Sequence, residues 1–345
     1  MTKCLELARL ARGATSPNPM VGCVIVNEQG EIVSTGYHHK YGENHAERDA
    51  LLKLDNAKDC TLIVNLEPCS HYGKTPPCAD LIIEKGIKKV VYGMKDPNPI
   101  VAGRGLKKLT DAGIEVIGPV MEEECKKLNE IFIINHTQKR IFTAMKTATT
   151  IDGKIAAYNG NSKWITSENA RNEGKKIRGF YDAILTSSST VTADNPEMHH
   201  KNKIILDRNL KTDINSKIYK QGEIYIFYDE NLSPPNNFQN IHYLPAPVKN
   251  EQLDVKYILQ TIFDIGIRSV LVECGGLLNG SFLDYTDKLY HFVAPKILGD
   301  NSGKSAFDGK KIEEISQTTN FKMEEIKIIE PDLLVVYSKI NLKNL

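Results

Sequence analysis

Three side chains that bind soft metals, His45, Cys69 and Cys78, stand 24 and 9 positions apart, and few folds can bring them together. His45-Ala46-Glu47 opens a segment with helical spacing (Ala46, Ala50, Leu51, Leu54). Glu67-Pro68-Cys69 follows Thr61 to Leu66, a short apolar run of the buried-strand type. Cys78, behind Thr75-Pro76-Pro77, opens a second helical segment to Lys85 that Gly86 closes. Two helix starts and one strand end must therefore converge, as they do when helices layer on a sheet. The flanking sequence agrees. Cys4 to Arg12 reads as an amphipathic helix, Val21 to Asn27 and Ile32 to Tyr37 as a hairpin around Glu28-Gln29-Gly30, and Lys89 to Gly93 as a further strand.

One imidazole and two thiolates make three protein ligands, the number with which a catalytic zinc keeps a fourth position for water. A thiol at a helix start, beside a metal, favours its thiolate form. Glu47, two residues beyond His45, is close to the metal without being needed as a ligand, which suits it to carry protons between water and a leaving amine. H-x-E followed by P-C-x-x-C is the pattern of zinc nucleobase deaminases. Here eight residues, not two, separate the cysteines. A closed structural zinc site remains an alternative, with His71 as its fourth ligand.

A charged helical stretch from Glu122 to His136 fades into Thr137-Gln138-Lys139-Arg140, which divides the chain into domains 1–140 and 141–345. The second half alternates strands at Ile141 to Ala148, Ala183 to Thr186, Lys203 to Leu206, Glu223 to Tyr228, Ser269 to Val272 and Leu289 to Ala294 with helices at Ser167 to Arg178, Leu253 to Gly266 and Leu277 to Tyr285. Asn231 to Asn240 reads as an exposed loop. Residues 1–140 carry 19 basic and 18 acidic side chains, and 141–345 carry 25 of each, so no basic face is set out for nucleic acid or anionic lipid. No apolar run approaches the roughly 18 residues of a membrane span, and Met1 to Leu7 lacks an apolar signal core, so a cytoplasmic protein is expected. Six of the seven cysteines precede residue 126, a clustering that fits reduced thiols and a metal better than a disulfide framework.

Two stretches of the second half carry chemistry. Thr143 to Ala156 runs from strand to turn at Asp152-Gly153, followed by Ser162-Lys163-Trp164-Ile165-Thr166 with the sole Trp of the chain. Glu273-Cys274-Gly275-Gly276-Leu277-Leu278-Asn279-Gly280 joins a strand to a helix, where glycines let backbone N–H groups approach a phosphate, or simply make a turn.

Ser16 to Cys23, Gly36-Tyr37-His38, His45-Ala46-Glu47, Glu67 to Cys78 with its long inter-cysteine loop, and Asp96-Pro97-Asn98-Pro99 with Gly103 and Gly105 together resemble the bifunctional deaminase/reductase family of riboflavin biosynthesis. Lys146-Thr147-Ala148, Asp152-Gly153, Arg178, Asp182 to Leu185, Thr190-Val191, Asp194-Asn195-Pro196 and Glu273 to Ser281 extend the resemblance through the second half. The resemblance implies a cytidine-deaminase-like α/β/α layer domain followed by an α/β domain similar to dihydrofolate reductase. It implies Zn2+ on His45, Cys69 and Cys78, with Glu47 as proton shuttle, and Asn18, His38, His71 and Lys74 around ring and phosphate. It further implies NADPH along Ala148, Trp164, Thr190, Asp194 and the turn Gly275, Gly276, Leu277, Leu278, Asn279, Gly280 and Ser281, with Ser162, Arg178, Met198, Lys201 and Glu273 toward the substrate. That substrate is a small phosphorylated pyrimidine, a diaminopyrimidinone ribotide that is deaminated and then reduced at its ribose. A homo-oligomer without nucleic-acid or membrane partners is expected.

Three positions depart from the family pattern. Arg48 stands where an apolar residue is usual, as a helix surface would tolerate. Thr186-Ser187-Ser188-Ser189 replaces a glycine, and its Cβ atoms are expected to crowd a dinucleotide. Lys201 replaces an arginine and loses the bidentate fork while keeping the charge. Arg208 is a candidate for a 2′-phosphate. The rival reading, an RNA base deaminase with a C-terminal binding module, calls for a basic, aromatic-rich stripe that the balanced charges and single Trp do not provide.

Overall fold

Gly22–Val26 is the inner strand of a five-stranded sheet, and its glycine shows why the first helix packs so closely. A Cβ on Gly22 would stand 2.1 Å from the Cys4 carbonyl oxygen, so the helix backbone rests directly on the strand. The computed structural model describes residues 1–72, 76–98, 102–235 and 239–339, and its two compact units meet at Lys139/Arg140.

The first unit contains α1 (Thr2–Arg9), β1 (Gly22–Val26), β2 (Ile32–Tyr37), α2 (Ala46–Leu51), β3 (Thr61–Leu66), α3 (Cys78–Glu84), β4 (Lys89–Met94), α4 (Arg104–Asp111), β5 (Glu115–Ile117), α5 (Glu122–Leu128) and α6 (Glu130–Thr137). The sheet order is β2-β1-β3-β4-β5, antiparallel across β2, β1 and β3 and parallel from β3 to β5. Ile25, Leu51, Leu62, Ile82 and Leu109 are fully buried and form the centre of its core. The single charged helix expected over 122–136 breaks at Asn129 into α5 and α6. The side chain of Asn129 accepts from the Met20 N–H at 2.8 Å and donates to the Met20 carbonyl at 3.1 Å, pinning the break to the loop before β1.

The second unit contains β6 (Phe142–Thr149), β7 (Lys154–Ala156), α7 (Glu168–Arg178), β8 (Ala183–Ser187), α8 (Ser188–Asp194), β9 (Asn202–Leu206), β10 (Glu223–Asp229), β11 (Ile241–Ala246), β12 (Val248–Lys249), β13 (Gln252–Leu253), α9 (Val255–Asp264), β14 (Ser269–Val272), α10 (Gly276–Phe282), β15 (Lys288–Val293), β16 (Lys304–Ser305), β17 (Lys322–Ile329) and β18 (Asp332–Ser338). Its main sheet runs β11-β10-β9-β8-β14-β6-β15-β18-β17. Strands β11 to β15 in that order are parallel, and β18 and β17 add an antiparallel edge. The buried strands carry the expected near-continuous apolar runs, such as Ala183–Ser187, buried throughout. Outside the expectations lay α8, β11, the short strands β7, β12, β13 and β16, and the closing pair β17 and β18. Lys322–Ile329 alternates charge with apolar residues and is mostly exposed, which gives it no buried-strand signal. Part of the loop expected at 231–240 lies outside the described residues.

Candidate deaminase and reductase sites

His45 is the N-cap residue of α2, with extended backbone, and Cys78 is the first residue of α3. Gly36 permits this placement, because a Cβ there would stand 2.4 Å from the Ala46 carbonyl oxygen. The helix start therefore sits directly on β2. Cys69 Sγ and Cys78 Sγ each lie 3.5 Å from His45 Nδ1, and the Cys78 N–H donates to Cys69 Sγ at 3.3 Å. All three ligand atoms lie within 4.8 Å of one another. A set of one imidazole and two sulfurs at that spacing fits zinc with a fourth position open. His71 is exposed and does not join the group, so the closed four-ligand alternative lacks its fourth residue.

The electrostatics of the cluster favour a cation. The Cys78 thiol donates to Cys69 and holds it as a thiolate, down to about 4, while Cys78 itself is pushed up by that same bond and by burial. His45 is raised, first by its hydrogen bond to Cys69. The two sulfurs thus share one proton, which a bound metal would displace. Glu47 is 4% exposed, and burial pushes its carboxyl up to about 7, with the Cys69 charge adding to the effect.

The cluster opens into a cavity of about 320 Å³ lined by Asn18, His38, His45, Glu47, Cys69 and His71, among others. His38 is buried, and that burial lowers its pKa. Its Nδ1 lies 3.0 Å from the Asn44 carbonyl, and its Nε2 lies 3.1 Å from Asn18 Nδ2. A carbonyl can only accept, so Nδ1 bears the proton, Nε2 accepts, and Asn18 is oriented by the ring. Lys74 lies outside the described residues. Arg48 is half-buried on α2. Glu67 is buried for a structural reason: its carboxylate accepts from the N–H groups of Asp96 (3.3 Å), Gly103 (2.9 Å) and Gly105 (3.0 Å). A Cβ on Gly105 would stand 1.9 Å from the Pro68 carbonyl oxygen, so the start of α4 docks against the ligand loop only with glycine there. The segment after β4, together with α6, brings Asp96, Asn98, Phe132 and His136 to the cavity. These four were not expected as site residues. Asp96 and Asn98 belong to a motif already visible in the sequence, whereas nothing local marks Phe132 or His136.

In the second unit the charged groups gather beyond the carboxyl ends of parallel strands, where open α/β sheets bind ligands. Glu273, after β14, pairs with Arg178 of α7 through two bonds of 2.6 and 2.9 Å and lies 3.6 Å from Lys146 Nζ of β6. Its side chain is 9% exposed. Burial alone would raise its pKa, but Lys146 first and then Arg178 hold it down to about 2. Lys146 was missed as a site residue, although a lysine inside an otherwise uncharged strand was the available signal. Lys201 is elsewhere: its side chain is 62% exposed and its ammonium stands 3.9 Å from Asp182. Asp182 accepts from the Ser269 N–H at the amino end of β14, four residues before Glu273, or roughly 13 Å along the strand. The Met198 side chain, expected to face the substrate, is instead buried with Ile184, Val191 and Ile205, because an unbranched apolar chain is better placed in that core.

Trp164 is 62% exposed, with the Arg171 guanidinium 4.2 Å over its ring and Lys296 donating to its carbonyl at 2.7 Å. Ser162 is half-buried, its carbonyl accepting from Ile165, and Ala148 is half-buried on β6. Thr190 and Asp194 lie on α8, the latter exposed. The glycines after Glu273 have a different purpose from the one expected. A Cβ on Gly276 would stand 2.1 Å from the Ser305 carbonyl oxygen, and one on Gly280 1.8 Å from that of Asp308, so both accommodate the chain's own backbone. Gly275 alone faces open space. Leu277 is exposed and Leu278 packs on the core, Asn279 Nδ2 donates to the Ala306 carbonyl at 2.9 Å, and Ser281 donates to Gln252. Ser187 needs no glycine: its backbone is extended and its Oγ accepts from the Thr190 N–H, capping α8. Arg208 donates to the Glu251 carbonyl. Among the described residues no helix is long and apolar enough to cross a membrane.

Residues 1–94 match the cytidine and deoxycytidylate deaminase zinc-binding region, and residues 142–335 match the RibD C-terminal domain. The riboflavin biosynthesis protein RibD of Actinobacillus pleuropneumoniae is 39% identical, covering 98% of this chain and 94% of that protein, and that of Escherichia coli is 36% identical over 96% of each. The crystal structure of a diaminohydroxyphosphoribosylaminopyrimidine deaminase/5-amino-6-(5-phosphoribosylamino)uracil reductase from Thermotoga maritima superposes with a TM-score of 0.88 at 38% identity, covering 98% of this chain and 97% of that one. The zinc-fit ligand cluster and the two matched domains place this chain in the RibD family, whose members act as zinc-dependent deaminase and NADPH-dependent reductase in riboflavin biosynthesis.

Proposed function

We propose that domain 1–140 deaminates 2,5-diamino-6-(5-phosphoribosylamino)pyrimidin-4-one and that domain 141–345 reduces the product's ribosyl group to ribityl, giving 5-amino-6-(5-phosphoribitylamino)uracil. The observation that carries the reading is the His45, Cys69 and Cys78 cluster with buried Glu47 beside it in one cavity. Zinc held by these three ligands supplies the positive charge that makes a water reactive at neutral pH. Glu47 takes a proton from the attacking water and delivers it to the departing amine, so water and amine are exchanged for a carbonyl and ammonia. Its burial suits it to both roles, since a carboxyl near neutrality accepts and returns a proton readily. The paired Asn18 and His38 present a fixed amide to the ring, and His71 and Lys74 bind toward the phosphate.

When bound in the reductase half, NADPH would supply the hydride that the ribose carbon bearing the amine needs, with one proton completing the balance. Ala148, Trp164, Thr190, Asp194 and the turn from Gly275 to Ser281 hold the cofactor, with Gly275 the one glycine of that turn left open to a ligand. Lys146 and Arg178 outnumber Glu273, so the cluster retains a positive charge that suits a phosphorylated sugar. Ser162 completes the substrate's surroundings. The chain works in the cytoplasm as a homo-oligomer.

The test is to incubate the purified protein with the diaminopyrimidine ribotide and NADPH and follow ammonia and NADPH separately. Both signals are expected, and Glu47→Ala should abolish ammonia release while NADPH oxidation with deaminated substrate persists. Ammonia released as fast by the variant as by the parent would remove Glu47 from the reaction.

A further inference from the structure

His136, next to the end of α6, lines the deaminase cavity but takes no part in holding metal or moving protons. Its Nδ1 stands 2.9 Å from the Phe132 carbonyl oxygen. A carbonyl only accepts, so Nδ1 carries the proton and the lone pair of the neutral ring is on Nε2. Phe132 also packs on the ring, centroids 4.2 Å apart and planes at 45°. The Nε2 acceptor is thus set by its own helix, and among the described residues it meets no hydrogen-bond partner. Of the other imidazoles in the cavity, His45 belongs to the metal, both nitrogens of His38 are bonded, and His71 is exposed.

Asp96 is a second acceptor on the same cavity. One of its oxygens takes the Asn98 N–H at 2.8 Å, and it shares the cavity lining with His136. Glu67 is already engaged, since three backbone N–H groups converge on it. The cavity is larger than a pyrimidine ring needs. Two acceptors lining one cavity suit hydroxyl donors, whereas phosphate oxygens present no hydrogens and would meet the Asp96 carboxylate unfavourably.

Resting on the substrate reading above, we infer that His136 Nε2 accepts a hydrogen bond from a ribose hydroxyl, with Asp96 as second acceptor, so that the deaminase half selects a ribosylated pyrimidine over the free base. His136 is a specificity residue: it touches the sugar, away from the bonds that change.

The experiment measures ammonia release by the zinc-loaded full chain from the ribotide, the dephosphorylated riboside and the free triaminopyrimidinone. Replacing His136→Phe keeps the stacking and removes the acceptor, and His136→Gln keeps an acceptor. The Phe variant should raise KM for ribotide and riboside alike by about tenfold, the loss of one hydrogen bond. Its KM for the free base should stay put, and the Gln variant should recover part of the loss. An unchanged ribotide KM, or an equal rise for the free base, overturns the inference alone. A rise seen with ribotide but absent with riboside assigns the residue to phosphate and overturns it too. A parent enzyme that handles free base as well as ribotide overturns both the substrate reading and this inference.

Discussion

The two sites differ in how their chemistry is encoded. In the deaminase half three ligand atoms within 4.8 Å come from a helix cap, a strand end and a helix start, and each is announced by its own short motif. In the reductase half Lys146, Arg178 and Glu273 come from β6, α7 and the end of β14, 95 to 127 positions apart for the two cations and the acid, and no local pattern announces that they meet. A metal accepts few donor types in few geometries, so the residues must recur in recognisable form. A dinucleotide and a phosphorylated sugar are held by shape, backbone and a few charges, which many sequences can supply.

That contrast can be broken in three ways. The largest effect should come from removing zinc with a chelator. Ammonia release should fall more than about 100-fold and return on adding zinc, with NADPH oxidation of deaminated substrate unaffected. Parallel loss of both activities would mean that the halves are not independent in their chemistry.

Next is Glu273→Gln, which leaves Lys146 and Arg178 without their counter-charge. NADPH oxidation should drop about 10- to 100-fold in kcat/KM, a loss of roughly 1.4 to 3 kcal/mol of transition-state stabilisation, while ammonia release is retained. The same variant carries a pH signature. Glu273 is depressed to about 2 in the fold, below its unfolded value of about 4.3, so its stabilisation is fully present above pH 4.3 and disappears as pH falls toward 2. The parent's unfolding free energy should therefore decline by about 3 kcal/mol more than the variant's between those values in acid denaturation. Equal slopes would remove the ion pair from the account of stability.

The smallest effect should come from Ser187→Gly. Ser187 caps α8 in extended backbone, so glycine should cost a few tenths of a kcal/mol in thermal unfolding and leave the KM for NADPH unchanged. A clear fall in that KM would show that the serine Cβ does crowd the cofactor.

Much of the layout was legible. The hairpin, the helix starting beyond His45, the strand Thr61–Leu66 and the helix starting at Cys78 are set by apolar periodicity and by glycine and proline punctuation, and they appear at or near the expected residues. The misses have physical causes. The helix over 122–136 breaks at Asn129 because that side chain binds the Met20 backbone, a contact 109 residues away. Strand β17 was hidden because an exposed edge strand needs no buried face, whereas β18 is an inner strand whose apolar run at Leu334 to Val336 was passed over. The glycines at 276 and 280 seemed suited to a phosphate, but the 305–308 segment passes against them. Met198 seemed a ligand contact and is core.

By itself, then, the sequence determined which residue types could hold a metal, where their helices and strands begin, and that two α/β halves share one chain, because those features depend on neighbours a few positions apart. Only the tertiary structure decided that His71 stays out of the ligand set, that Lys146 joins Glu273, that Lys201 faces Asp182, and that His136 lines the cavity. Each of those outcomes is set by through-space distance and burial between distant segments, on which local propensity is silent.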